Sequence, residues 1–123
     1  MRRDHDLIRA IILHIEDYPH GEYPPQLPWI EGYSDEQIGY HCYLILEAGL
    51  GRGFPFEREG ALSPDARILG LTIKGHEFAE AARNNTVWNR TTAWAKSVGG
   101  VSINVLYKQL LVFGAELIRD ATL

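Results

Sequence analysis

The sequence predicts an α+β fold, mainly α, with a small sheet of two or three strands and extra C-terminal helices. Three observations lead there. Apolar residues recur at helical spacing in several stretches bounded by capping residues. A pair of strand-like runs brackets a turn between residues 50 and 72. The 123-residue length is that of one domain, 1–123. Within it, 1–73 reads as a helix, helix and ribbon part, and 74–123 as a helical part.

The elements follow in order. Asp4 is a candidate N-cap, and Leu7, Ile8, Ile11, Ile12 and Ile15 fall on one helical face, ending near Asp17. Pro19 to Pro28 is proline-rich and reads as a loop. Trp29 and Ile30 are expected to begin a short strand, closed by Glu31-Gly32. Ser34 opens the next helix, and with Gln37 it matches a capping box. Ile38, His41, Cys42, Ile45 and Leu46 share one face of that helix. Tyr40, Tyr43 and Glu47 share the other, with Gly39 and Leu44 at the margins. Gly49 stands where a glycine cap ends a helix.

Leu50 to Phe56 is one candidate strand, Glu57 to Asp65 the turn, and Ile68 to Leu71 the returning strand. Thr72 caps a helix through Ala82. Asn84-Asn85 marks a break before a helix from Thr86 to about Ser97. Gly99-Gly100 is a hinge, and Ser102 caps a last helix running to about Asp120.

Composition narrows the function classes. Hydrophobic residues make up 46% and charged residues 23%, which suits a globular chain rather than a disordered one. Asp4, Asp6 and Arg9 interrupt the apolar N-terminal stretch, and no small-residue cleavage site follows, so an amphipathic helix fits better than a signal peptide. The most apolar later stretch, Val101 to Leu117, contains Asn104, Lys108, Gln109 and Glu116; a membrane span needs ~20 nearly uncharged residues. A cytoplasmic protein without a membrane partner is expected. Cys42 is the single cysteine, which excludes an internal disulfide and reads as a small core residue.

Net charge is −4. Residues 1–73 hold six lysines and arginines against twelve carboxylates, a net of −6, whereas 74–123 hold six against four, a net of +2. Affinity for DNA comes mostly from neutralising phosphates. The N-terminal part suits that task only if its arginines cluster.

Residues 33–50, YSDEQIGYHCYLILEAGL, carry the clearest family signal. From His41 to Leu50 they resemble the H-L-x-x-L-x-x-A-G-L that ends the recognition helix of winged helix-turn-helix proteins, with Cys42 and Ile45 in place of the two leucines. Leu71 to Phe78 resembles the L-T-x-x-G-x-x-F that closes many such wings. Over nearly the whole chain, R-R-D-H-D-L-I-R near the start, Y-H-x-Y-L around residue 40, L-T-x-x-G-H-E-F and T-V-W-N resemble a phage-associated bacterial family, domain of unknown function 2513. The resemblance implies a winged-helix-like fold and a bacterial, phage or prophage setting, and brings no activity with it. One departure stands out. Pro24, Pro25 and Pro28 occupy most of the space where a supporting helix precedes the recognition helix, and proline is poor inside helices.

On that reading the outer face of the second clear helix is the binding face, with Gln37, Tyr40 and Tyr43 as contacts. Arg52, Arg58 and Arg67 on the wing are the phosphate-gripping candidates. Glu36 and Glu47 on the same helix face would repel DNA. The bland alternatives are tyrosines packed on a protein partner and arginines in a solvated loop with Glu57, Glu59 and Asp65 interleaved.

No enzyme is expected. His76-Glu77 lacks the second histidine of H-E-x-x-H, having Glu80 there, and His5, His14, His20 and His41 show no ligand spacing. No nucleophile elbow, P-loop or dinucleotide fingerprint occurs. No metal or cofactor is predicted. His41 is expected to pack under its helix and bond to backbone.

The last helix is apolar around most of its circumference, so it is expected to be buried on all sides and to form a homodimer interface through Leu106, Leu110, Phe113 and Leu117; the alternative is that the Trp88–Trp94 helix and the first helix cover it within one monomer. Two function classes remain open: a dimeric DNA-binding regulator, and an acidic protein-interaction module such as a phage accessory or inhibitory factor acting on a host protein.

Overall fold

A computed structural model describes residues 1–19, 21–24 and 27–122. The fold is α+β and mainly helical. Its order is α1 (His5–Glu16), α2 (Asp35–Glu47), β1 (Gly51–Phe56), β2 (Asp65–Leu71), α3 (Ile73–Ala82), α4 (Asn85–Ser97) and α5 (Ile103–Thr122). Backbone contacts group into two compact units, Met1–His76 and Glu77–Leu123.

The first unit is built on the stripe of α1. Leu7, Ile8, Ile11, Ile12 and Ile15 are all buried, and α1 packs on α2 and β2. Asp4 starts the helix, its carboxylate accepting from the Leu7 N–H at 3.1 Å. Opposite lie Ile38, Cys42 and Ile45 of α2 and Ala66, Ile68 and Leu71 of β2. Burial pushes the Cys42 thiol up to about 12, which suits an inert core residue. The α2 capping box forms as the sequence predicts: Ser34 Oγ accepts from the Gln37 N–H at 3.1 Å, and Gln37 Oε1 accepts from the Ser34 N–H at 2.9 Å.

The ribbon is a two-stranded antiparallel sheet, with Arg52 opposite Gly70 and Gly53 opposite Ile68. This step leaves Leu69 as the extra residue of a bulge. Gly53 is required there, because a Cβ on it would overlap the Arg67 carbonyl.

Four expectations need correction. Trp29 and Ile30 form no strand, so the sheet among the described residues has two strands, and Trp29 is 75% exposed. Neither strand nor helix occupies the described part of 18–33, as the prolines require. His20 and Pro25 lie outside the described residues. The returning strand begins at Asp65 rather than Ile68, because the Asp65 side chain is fixed by partners described below. Gly39, placed at the margin of α2 by spacing alone, is buried.

The fourth correction concerns α5. It is not buried on all sides. Ile103, Leu106, Leu110 and Phe113 form one buried stripe, and α5 packs on α4 through it. Phe78 and Trp88 are fully buried and meet edge to face at 5.9 Å between ring centroids. Arg90 lies over the Phe113 ring at 3.9 Å and bonds Glu116 at 2.8 Å, covering the outer side of that stripe. Val105, Val112, Leu117 and Ile118 stay exposed. A run of apolar residues cannot tell which of its sides a neighbouring helix covers.

Candidate functional site

The outward face of α2 is acidic and aromatic. Asp35, Glu36, Gln37 and Glu47 are exposed, and Tyr40 and Tyr43 are half-buried. The two tyrosine rings stack at 6.5 Å with 26° between their planes, since three residues along a helix bring side chains onto one face. A hydrogen bond to Glu47 lifts the Tyr43 hydroxyl above its ordinary range. The face therefore offers a pair of stacked tyrosines with Glu47 beside them, and two further exposed carboxylates, Asp35 and Glu36, in the first turn of the helix. Gln37 uses its side-chain oxygen on the helix cap, which leaves its amide nitrogen as the outward polar group.

The three wing arginines do not act as a set. Arg58 is held in an ion pair with Asp65: Nε donates to Asp65 Oδ2 at 3.0 Å and Nη2 makes a second bond to the same oxygen. Nη2 also donates to the Asp35 carbonyl at 3.4 Å. The pair holds the Arg58 guanidinium above its ordinary value. Arg58 thus ties the ribbon loop to the first turn of α2. Asp65 is the residue that spacing did not single out, although an aspartate at the start of a strand next to arginine-bearing turns was its only visible signal. The Leu62 N–H donates to Glu36 Oε1 at 3.2 Å, adding a second tie between loop and helix.

Arg52 and Arg67 lie on the other face of the ribbon. Ala66 and Ile68 point inward, so alternation places Arg67 outward beside its cross-strand neighbour Phe54, which is 52% exposed. A Cβ on Gly70 would stand 3.7 Å from Arg52 Nη2, which puts Arg52 on the same side. Nη1 of Arg67 is buried without a hydrogen-bond partner among the described residues. The six predicted contacts therefore fall in three places: Gln37, Tyr40 and Tyr43 on α2, Arg58 beneath the loop, and Arg52 with Arg67 behind the ribbon.

Of the predicted pairing residues, Leu106 and Leu110 have no exposed surface and Phe113 has little. They are core of the single chain and cannot touch a second one. Leu117 is 40% exposed.

His41 organises the inner side of α2. The Asp4 N–H donates to its Nε2 at 2.8 Å, so the ring proton must sit on Nδ1, which donates to the Gln37 carbonyl at 2.7 Å. Asp4 Oδ2 accepts from the Tyr33 hydroxyl at 3.0 Å. Both His41 nitrogens are used in the neutral form, and protonation would set two N–H groups head to head. Burial lowers the His41 pKa, outweighing the Gln37 bond and the Asp4 charge, which raise it. His5 is also lowered, by burial and then by Arg3. The unfolded chain therefore binds protons at higher pH than the folded one does. Stability contributed by neutral His41 is fully present above its unfolded value of about 6.5 and is lost as pH falls through that value toward the lowered one. Urea unfolding across this window should show stability dropping with acidification. His41→Gln should flatten the drop, leaving the His5 part; an unchanged slope would refute the assignment.

The family model described as "Hypothetical protein (DUF2513)" matches residues 2–102. The chain belongs to that family. The matched stretch takes in α1 through α4, with the α2 face and the ribbon, and stops just before α5. A relative described as "Uncharacterized protein", from Haemophilus influenzae (strain ATCC 51907 / DSM 11121 / KW20 / Rd), is 35% identical over 100 residues, covering 80% of this chain and 83% of its own length. No solved structure matches. Among the described residues, no helix is long and apolar enough to cross a membrane.

Proposed function

We propose that this chain is a non-enzymatic, winged-helix-like binding module whose α2 face takes a basic segment of a protein partner. The observation that carries the reading is the stacked Tyr40–Tyr43 pair with Glu47 bonded to Tyr43, on a helix whose first turn also exposes Asp35 and Glu36. Tyrosines give a rigid contact area at low entropic cost. Carboxylates at the rim favour lysine or arginine and penalise phosphate. Removal of Arg58 from the free cations by Asp65 weakens the case for phosphate further. A phage accessory or inhibitory factor acting on a host protein falls within this class.

The second reading, duplex DNA, rests on one feature: Arg52, Arg67 and exposed Phe54 on the outer face of the ribbon. That face could lie along a backbone while α2 stays out of the groove.

Fluorescence anisotropy separates the two. A labelled lysine-rich peptide should bind the wild type and weaken about tenfold in Glu47→Gln and in Tyr40→Ala. Mixed-sequence duplex DNA should show no binding at low salt. Salt-sensitive DNA binding that is lost in Arg52→Ala, with no peptide binding, would replace the first reading by the second.

A further inference from the structure

The second unit has an open apolar groove of about 460 Å³ between α3 and the C-terminal turns of α5. Its floor is small: Ala81 of α3 faces Gly114 of α5, where an added Cβ would stand 3.5 Å from the Ala81 Cβ. Its far wall is Leu111, Ala115 and Ile118, spaced four and then three residues apart and so aligned on one helical face. Ile118 is 67% exposed and Val112, on the neighbouring face, 49%. The last turns of α5 are exposed on every side.

The two flanks of this apolar line carry opposite charge. On the α3 side stand Glu77 and Glu80 at the rim of the groove. Glu77 accepts from the Tyr107 hydroxyl at 2.8 Å, which puts it level with the second turn of α5. On the other side stands Lys108, one residue beyond Tyr107 and exposed. Neither Glu80 nor Lys108 has an ion partner among the described residues. Both are exposed, and Glu80, beside the Ala81 that faces Gly114, stands about one turn further along α5 than Lys108, within the reach of two long side chains.

We propose that α5 pairs with α5 of a second copy of this chain, the two helices running the same way about a two-fold axis. Leu111, Ala115 and Ile118 form the seam, and Lys108 of each copy meets Glu80 of the other. The direction follows from the charges. A two-fold axis parallel to the helices brings the basic flank of one copy against the acidic flank of its partner, twice. An antiparallel pair would set acidic flank against acidic flank. Such a contact is self-complementary, as closed two-fold symmetry requires. It uses none of Leu106, Leu110 and Phe113, which are core.

Sedimentation velocity of the full chain over a range of concentrations tests this. The wild type should show a monomer–dimer equilibrium. Ile118→Glu should be monomeric, and Lys108→Glu and Glu80→Lys should each raise the dimer dissociation constant about tenfold or more, because each sets like charges together. Mixing Lys108→Glu with Glu80→Lys should restore the dimer, since every cross-chain pair is then opposite in sign; this also shows that both variants are folded. A wild type that stays monomeric, charge variants that dimerise unchanged, or a mixture that fails to recover would each overturn the proposal.

Discussion

Arg58→Ala should lower stability by about 3 kcal/mol, the low end of what breaking a buried ion pair costs, because Arg58 itself is about one-third exposed. The reason lies with its partner. Asp65 is 2% exposed, and its other oxygen, Oδ1, accepts from the Ala66 N–H at 2.7 Å. Removing the guanidinium leaves a carboxylate in the interior with no counter-charge. The double variant Arg58→Ala with Asp65→Ala should recover much of the loss, since no buried charge then remains. Gly39 belongs to the same cluster: a Cβ there would stand 2.5 Å from Asp65 Oδ2 and 2.7 Å from Arg58 Nη2. Urea midpoints for the two single variants and the double complete a mutant cycle. If the single losses simply add, the pair is not coupled and the account is wrong.

The second large effect is expected at the junction of α2, the ribbon and α3. Gly75→Ala should cost about 3 kcal/mol, the upper range for overpacking a site that cannot relax. An added Cβ would overlap the Leu50 carbonyl oxygen, and that carbonyl is backbone already committed to the Thr72 N–H at 3.1 Å. Its surroundings are equally fixed. Thr72 Oγ1 donates to the Gly49 carbonyl at 2.7 Å and accepts from the Gly75 N–H at 3.0 Å. Lys74 Nζ reaches the Ala48 carbonyl at 3.2 Å. Gly49 sits at φ +75, the left-handed conformation that ends α2. Six residues, Ala48, Gly49, Leu50, Thr72, Lys74 and Gly75, thus satisfy the helix end and start the next helix in one small space. Thermal unfolding of Gly75→Ala would contradict this reading if the midpoint did not fall.

Much of the first unit could be read along the chain. The α1 stripe, the Asp4 and Ser34 caps, the Gly49 stop and the strand pair are local patterns, and local patterns are set by residues a few positions apart. The role of His41 was also legible in kind, because a histidine on an apolar face seeks backbone partners. Arg58 was not. Whether an arginine in a turn grips phosphate or neutralises a buried aspartate depends on the register that carries Asp65 under Gly39. The same holds for α5, where a nearly continuous apolar run concealed a buried stripe beside an exposed one.

Sequence alone determined the helical periodicities, the caps, the proline-filled gap before α2 and the excess of carboxylates in the first part of the chain. Only the tertiary structure decided which arginines keep an outward face, which leucines of α5 are core, and where opposite charges flank an apolar line. The division has a physical cause. Periodicity and capping act through neighbours in the chain, whereas burial and charge pairing depend on distances between residues the chain places far apart.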